Sequence, residues 1–312
     1  MNAETGAERL LQQAYTDLKE ADAVSARKHL EEALRQDFGN PEVKYSLMCV
    51  KWWLDRMGSI DQFREPYDKA GYIMSQWKAW YSFLDRVGEA CDSCQYAVKH
   101  YVFNSALRYF EEILGDRASR LDPVLMLQIG RCYKGVGNYG EALKWLEQSV
   151  RLVKEDGETL AELADVNALL MENRVAKALF REAFFLDPQK VDLRNMESEL
   201  IARLQDHVAA LGYRGPELAE WIPVYGSLTG VFSVKRELRP VELGRLKQSI
   251  FSLENDIRSN PSVSAVLKPR LINRYFWLID YCENIQAYSN LVEDTKLKLK
   301  LIDKAIFDQY AR

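Results

Sequence analysis

The feature that most constrains this chain is an internal period of 34 residues near its middle. Two consecutive segments, 123–156 and 157–188, place residues of similar character at the same offsets. The matched positions are Met126 and Leu160, Ile129 and Leu163, Gly130 and Ala164, Tyr133 and Asn167, Gly137 and Met171, Ala142 and Ala176, Leu146 and Phe180, and Ser149 and Ala183. A fixed period of this length indicates a stack of like supersecondary units, each burying its apolar face against its neighbours.

Each segment predicts two helices separated by a turn. Met126, Ile129 and Tyr133 lie at i, i+3 and i+7, which places them on one face of a helix. Gly130 and Ala142 are small, so the two helices of the segment can approach closely where they cross. The period and the spacing together predict an all-α chain built from helix pairs.

These offsets resemble those of the tetratricopeptide repeat (TPR) family, clearly over 123–188 and more weakly over 7–122. In the N-terminal copy the same pattern of small and large residues is carried by Leu10, Ala14, Ala26, Leu30 and Ala33. The resemblance implies a right-handed superhelix of helix pairs with a concave binding groove. It implies an array over 1–211, with an expanded second repeat at 41–86 and a closing helix at 189–211.

The pattern changes after the array, and 212–312 is expected to form a C-terminal helical domain that resembles no family we can name. Helical spacing predicts three helices there, over 241–259, 264–288 and 291–310. Residues 228–234 are compatible with either a short strand or an irregular segment packed on the array.

In TPR proteins the first helix of each pair lines the groove, so the resemblance implies a set of groove residues here. They are Leu11, Tyr15, Leu127, Arg131, Lys134, Glu158 and Asp165. The set is apolar at one end, basic in the middle and acidic beyond, which suits a peptide with acidic and apolar residues. The recurring lysine and asparagine pattern of the TPR subfamily that clamps chaperone tails is missing at these offsets, so a chaperone tail is not the expected partner.

An unusual density of aromatic residues lies in the expanded repeat. Trp52, Trp53, Trp77, Trp80 and Tyr81 fall within thirty residues of one another. Aromatic residues at helical spacing usually form core, and that interpretation is favoured. The alternative is an apolar surface that holds a small apolar ligand.

Three short motifs permit a chemical interpretation, and for each the structural one is preferred. The GxGxxG match at 135–140 would need a preceding strand to bind a dinucleotide, whereas helical spacing precedes it. The CxxC at 91–94 lacks a second ligand pair for zinc. The lysine-rich run at 296–300 is flanked by acids and is expected to be a solvated helix face. We therefore expect no catalytic residue, no cofactor and no metal.

The net charge of −4 argues against a nucleic-acid partner, which would require a concentrated basic surface. No apolar run reaches the length of a membrane span. No leader segment is evident, so a cytoplasmic location is expected, although a chain from which a signal had been removed would look the same. Five scattered cysteines favour a reducing compartment over a disulfide framework.

The functional prediction is a non-enzymatic scaffold that binds a protein or peptide partner in the concave groove, with self-association as a further option. The alternative is an adaptor or carrier for a small apolar ligand near the aromatic-rich second repeat. A third hypothesis, an enzyme with its active site among the C-terminal helices, would require convergent carboxylates around Arg274 and Tyr281.

Overall fold

The computed structural model of the protein describes residues 5–88, 90–114, 122–260, 262, 264–286 and 288–311. Within these ranges the fold is all-α, as predicted, with fifteen α-helices, short 3-10 turns and no strand. The chain forms two compact units, 1–149 and 150–312. The predicted boundary at 211/212 marks the end of the repeat pattern and stays a prediction.

The first unit is built from long helices. They are α1 (Gly6–Lys19), α2 (Ala23–Gln36), α3 (Pro41–Met57), α4 (Pro66–Val87), α5 (Asp92–Ile113), α6 (Pro123–Gly135) and the greater part of α7 (Tyr139–Leu152). Capping side chains account for where three of these helices begin. Asp22, Asn40 and Asp122 accept hydrogen bonds from backbone N–H groups of the first turns of α2, α3 and α6, which otherwise have no partner.

The second unit contains the remaining helices. They are α8 (Gly157–Leu169), α9 (Asn173–Leu186), α10 (Glu199–Ala210), α11 (Gly215–Leu228), α12 (Pro240–Ser259), α13 (Ser264–Asn284), α14 (Ser289–Ile302) and α15 (Lys304–Tyr310). The helices predicted over 241–259 and 264–288 correspond to α12 and α13. The one predicted over 291–310 is divided at Asp303, which ends α14 and caps the N-terminus of α15.

Of residues 228–234, for which a strand or an irregular segment was predicted, Leu228 is helical and 229–234 are irregular. Helix α11 ends at Leu228, and the chain turns back so that the Phe232 N–H donates to the Gly226 carbonyl over 2.8 Å. A side chain at Gly226 would collide with the Phe232 ring, so the missing Cβ allows this return.

Three helix pairs, α1–α2, α6–α7 and α8–α9, are joined by the same turn. The turn residue has a left-handed backbone in each pair, with φ of 62° at Ala21, 77° at Gly137 and 66° at Met171. The next residue donates its N–H to a carbonyl five residues earlier. These bonds are Asp22 to Asp17 (2.8 Å), Asn138 to Tyr133 (2.9 Å) and Glu172 to Asn167 (2.8 Å).

The three pairs also share their packing pattern. Among the offsets that are buried in all three pairs, one in the first helix and three in the second carry the repeat pattern: Ala14, Gly130 and Ala164; Ala26, Ala142 and Ala176; Leu30, Leu146 and Phe180; and Ala33, Ser149 and Ala183. A Cβ at Gly130 would lie 2.6 Å from Leu146 Cγ, well inside van der Waals contact. The small residues therefore let the helices of each pair approach closely.

Candidate functional site

Leu11 and Tyr15, the predicted apolar end of the groove, are buried in the core of the first unit. The Tyr15 hydroxyl donates to Glu42 Oε1 over 2.8 Å and lies 2.9 Å from Ser46 Oγ, so α1 is tied to α3. Burial raises the pKa of Tyr15, which keeps the hydroxyl protonated as a donor. In this position Tyr15 stabilises a helix contact within the unit.

Leu127, Arg131 and Lys134, on α6, are also buried, with exposed fractions of 5%, 8% and 3%. The two cations were predicted to lie at the centre of the groove. Reversing either charge at such a position would place an acid in a desolvated environment and perturb folding. Such variants would therefore not report on partner binding alone.

Asp165 and Glu158, on α8, differ in exposure. Asp165 is fully buried, and its two carboxylate oxygens accept hydrogen bonds from the backbone N–H groups of Glu197 and Ser198, each over 2.9 Å. The chain's own segment before α10 therefore covers this part of α8. Glu158, in the first turn, is the one predicted groove residue whose side chain is partly exposed.

The aromatic residues of the expanded repeat pack on one another. Trp53 and Trp80 are each 1% exposed. Trp52 makes edge contacts with both, at ring-centroid distances of 5.0 and 5.2 Å. Trp80 also stacks on Phe83 at 5.0 Å, and Trp77 contacts Tyr81 at 5.5 Å. The rings pack against one another within the core of the first unit. This packing favours the interpretation of the cluster as core over that of a ligand surface.

The CxxC motif lies at the start of α5, with Cys91 as N-cap and Cys94 buried in the first turn. Burial raises the pKa of the Cys91 thiol, and Glu42 Oε1 lies only 3.4 Å from its sulfur. A hydrogen bond with Cys49 and burial raise the pKa of Cys94. Reactive cysteines require the opposite, a lowered pKa beside cationic groups. Both thiols have the environment of structural cysteines.

The other two motifs are also structural. Of the GxGxxG glycines, Gly135 ends α6, Gly137 lies in the repeated turn and Gly140 lies in the first turn of α7, so a helix rather than a strand precedes the motif. Of the lysine-rich run, Lys296 pairs with Glu283 and Lys298 with Glu254, both at 3.1 Å. The glycine motif therefore lacks the preceding strand that a dinucleotide site requires, and two lysines of the run are paired with acids of the same unit.

No sequence pattern predicted an ion-pair cluster in the second unit, which we call the Arg236 cluster and which consists of Arg236, Arg239, Glu182 and Glu242. Arg236 donates to both oxygens of Glu182, each over 2.7 Å, and to Glu242 over 3.0 and 3.2 Å. Arg239 donates to the same Glu242, from its backbone over 2.7 Å and its side chain over 3.1 Å. The Arg239–Glu242 spacing at a helix start was detectable, whereas Glu182 lies 54 residues from Arg236 along the chain.

We predict a pH-dependent stability contribution from Glu242. Hydrogen bonds from Arg239 and Arg236 lower the pKa of this carboxyl from 4.5 to about 2. The folded chain therefore holds the charged form more tightly than the unfolded chain, so the stabilisation is present above pH 4.5 and is lost as the pH falls toward 2. Replacing Glu242 by glutamine is expected to cost about 1 kcal/mol at neutral pH.

Urea unfolding across this pH range tests the prediction. The difference between wild type and Glu242→Gln should shrink with acidification. Glu155→Gln is the matched control, since its exposed pair with Arg245 at 3.2 Å should contribute little. A difference for Glu242→Gln that persists unchanged to pH 2 would contradict the assignment.

No helix among the described residues is both long enough and apolar enough to cross a membrane. The same part of the chain contains no group of three or more histidine, cysteine or acidic side chains arranged to hold a metal ion. A scan against protein-family models finds no match to this chain, and a search of curated proteins finds no significant relative. Any functional proposal therefore rests on the geometry of the molecule.

Proposed function

We propose that the protein is a non-enzymatic scaffold of the TPR type, which binds a peptide segment of a partner protein along the first helices of its helix pairs. The observation that carries the proposal is the turn shared by α1–α2, α6–α7 and α8–α9, with its left-handed residue and its backbone hydrogen bond. Helix pairs of one geometry are the units from which peptide-binding repeat arrays are built, which supports the recognition of an extended or helical peptide. The superhelical stacking and the cytoplasmic location that the resemblance implies are part of the same proposal.

The charge of Glu158, the partly exposed groove residue on α8, determines which charge a partner would carry there. Glu158 lies in the first turn, where its side chain is partly exposed, while Asp165 is fully buried and accepts from the backbone of Glu197 and Ser198. A partner contact on α8 would therefore be made near its N-terminus. Peptides that carry a cation to meet Glu158 fit this end better than acidic ones.

Affinity capture with the immobilised full chain tests the proposal. Wild type is expected to enrich a partner from a lysate of the cells that produce it, and Glu158→Lys is expected to weaken recovery about tenfold, as loss of a charge-assisted contact would. Glu199→Lys is a matched control. It is also a charge reversal in the first turn of a helix, and Glu199 is 74% exposed. Thermal melts of both variants confirm that they fold.

The outcomes separate the hypotheses. Equal recovery with Glu158→Lys and wild type would contradict binding at this end of α8. Loss of the partner on Met171→Asn, with Glu158→Lys unaffected, would move the contact to the α8–α9 turn, where Met171 is 77% exposed. Asparagine tolerates the left-handed backbone of that position, so the variant removes only the apolar side chain. Absence of any enriched protein would contradict the scaffold itself.

A further inference from the structure

A cavity of about 490 Å³ lies within the second unit, beside the Arg236 cluster. Helices α8, α9, α12 and α13 and the segment before α12 all contribute to its wall. Its volume falls within the range of small-molecule sites in proteins. All of the lining residues belong to this one unit, so the site is complete within it.

The cavity has an apolar wall. Five large apolar side chains form it: Leu160, Leu179, Phe185, Leu186 and Leu246. Leu160 and Leu246 belong to the core, whereas the three side chains from α9 are only half-buried. Half-buried apolar side chains that face a cavity gain free energy when an apolar group displaces the water beside them.

The cavity is also positively charged, although the whole chain carries a net charge of −4. Five cations and three carboxylates line it. Each carboxylate is already paired: Glu182 and Glu242 with Arg236, and Glu155 with Arg245. The excess positive charge is therefore left without a counter-charge from the lining.

Arg274, on α13, is the cation at the enclosed end. Its Nε and Nη1 atoms are inaccessible to solvent and have no hydrogen-bond partner in the described part of the chain. Its guanidinium lies 3.9 Å from the centre of the Phe185 ring, where the ring face attracts the cation. Burial and the charge of Arg270, one turn away, lower the pKa of Arg274 to about 10, against the opposing charges of Glu220, Asp187 and Glu182. The side chain is still charged at neutral pH, and an enclosed, unpaired cation is costly.

We infer that the cavity binds a small amphipathic anion, whose head group pairs with Arg274 and whose apolar chain lies against Leu179, Phe185 and Leu246. An oxyanion head in the cavity would accept from Nη2, the guanidinium nitrogen that is not enclosed, and would supply the counter-charge that Arg274 lacks. The apolar chain would cover the half-buried side chains of α9. A neutral or cationic amphiphile would cover the apolar wall but would not pair with Arg274.

Titration calorimetry of the full chain with decanoate, below the concentration at which it forms micelles, tests the inference. Decanoate is expected to bind at one site. Decyl phosphate distinguishes a phosphate from a carboxylate preference, whereas decanol and decyltrimethylammonium are expected to bind at least tenfold more weakly, because they lack the charge-assisted hydrogen bonds. Equal affinity for decanol and decanoate would overturn the proposal.

Variants locate the site. Arg274→Met removes the buried charge and keeps an apolar side chain of similar length, so the variant should fold and should bind decanoate about ten- to a hundredfold more weakly. Arg245→Met removes the same charge from the rim, where the side chain is 66% exposed, and should change affinity little. Ser249→Phe, which narrows the cavity, gives an independent check by blocking binding.

Three further results would overturn the inference. They are unchanged decanoate affinity in both Arg274→Met and Ser249→Phe, equal losses in Arg274→Met and Arg245→Met, or tighter binding of a leucine-terminated peptide than of either decyl anion. The last would assign the site to the end of a partner chain instead of a small molecule.

Discussion

Replacing Asp280 by asparagine is expected to cost the second unit about 3 to 5 kcal/mol of unfolding free energy. Asp280 is the carboxylate that pairs with Arg181, whose side chain is only 4% exposed. The guanidinium also donates to the Val234 carbonyl over 3.2 Å and lies 4.4 Å from the centre of the Trp277 ring. Asparagine would leave this cation buried without a counter-charge, which is far more costly than losing an exposed pair.

The second cation beside Asp280 provides the control. Lys235 Nζ lies 2.5 Å from Asp280 Oδ1, but its side chain is 47% exposed and can be hydrated when the pair is lost. Lys235→Ala should therefore cost less than about 1 kcal/mol. The double variant Arg181→Met with Asp280→Leu replaces both buried charges by apolar groups and should recover most of the stability lost in Asp280→Asn.

Urea unfolding followed by far-UV circular dichroism measures all three variants. Burial lowers the pKa of Arg181 while Asp280 opposes that shift, so the carboxylate is what makes the buried cation tolerable. A loss in Asp280→Asn no larger than in Lys235→Ala would show that Arg181 does not depend on its partner. A loss of several kcal/mol would be a large share of the 5 to 15 kcal/mol that typically stabilises a domain.

The sequence was sufficient to predict the local features of this fold, because they depend on residues a few positions apart. Helix pairs need small residues where they cross, and Ala14, Gly130 and Ala164 supply them at the same offset from the turn. Helices α12 and α13 were predicted because apolar residues recur at i, i+3 and i+4. The internal division at Asp303 was missed, because its capping role depends on backbone geometry.

Such patterns could not predict contacts between residues that are far apart in the sequence. Asp165 was predicted to face an open groove, yet its carboxylate binds the backbone of Glu197 and Ser198. A repeat pattern does not predict which of its helix faces a later segment of the chain will cover. The Arg181–Asp280 pair joins residues 99 positions apart, and Arg274 is distinguished by two enclosed nitrogens that have no hydrogen-bond partner among the described residues. These features follow from tertiary packing alone, so the Arg274 cavity could not be predicted from spacing.

Replacing Trp80 by alanine is expected to destabilise the first unit by about 3 to 5 kcal/mol. Trp80 is 1% exposed, and its ring contacts Trp52 at 5.2 Å, Trp53 at 5.7 Å and Phe83 at 5.0 Å. Truncation would lose the transfer free energy of the indole and leave a cavity that these rings cannot collapse to fill. Urea unfolding followed by circular dichroism measures the loss.

The same variant decides between core and ligand surface for the aromatic cluster. Phe38→Ala, which removes a ring that is 75% exposed in the same unit, should change stability by less than about 0.5 kcal/mol. If the rings formed a surface for an apolar ligand, Trp80→Ala would resemble Phe38→Ala in stability and differ only in ligand binding. Because the rings of the cluster are already in contact with one another, a core-sized loss of stability is the expected result, and a loss below 1 kcal/mol would restore the ligand interpretation.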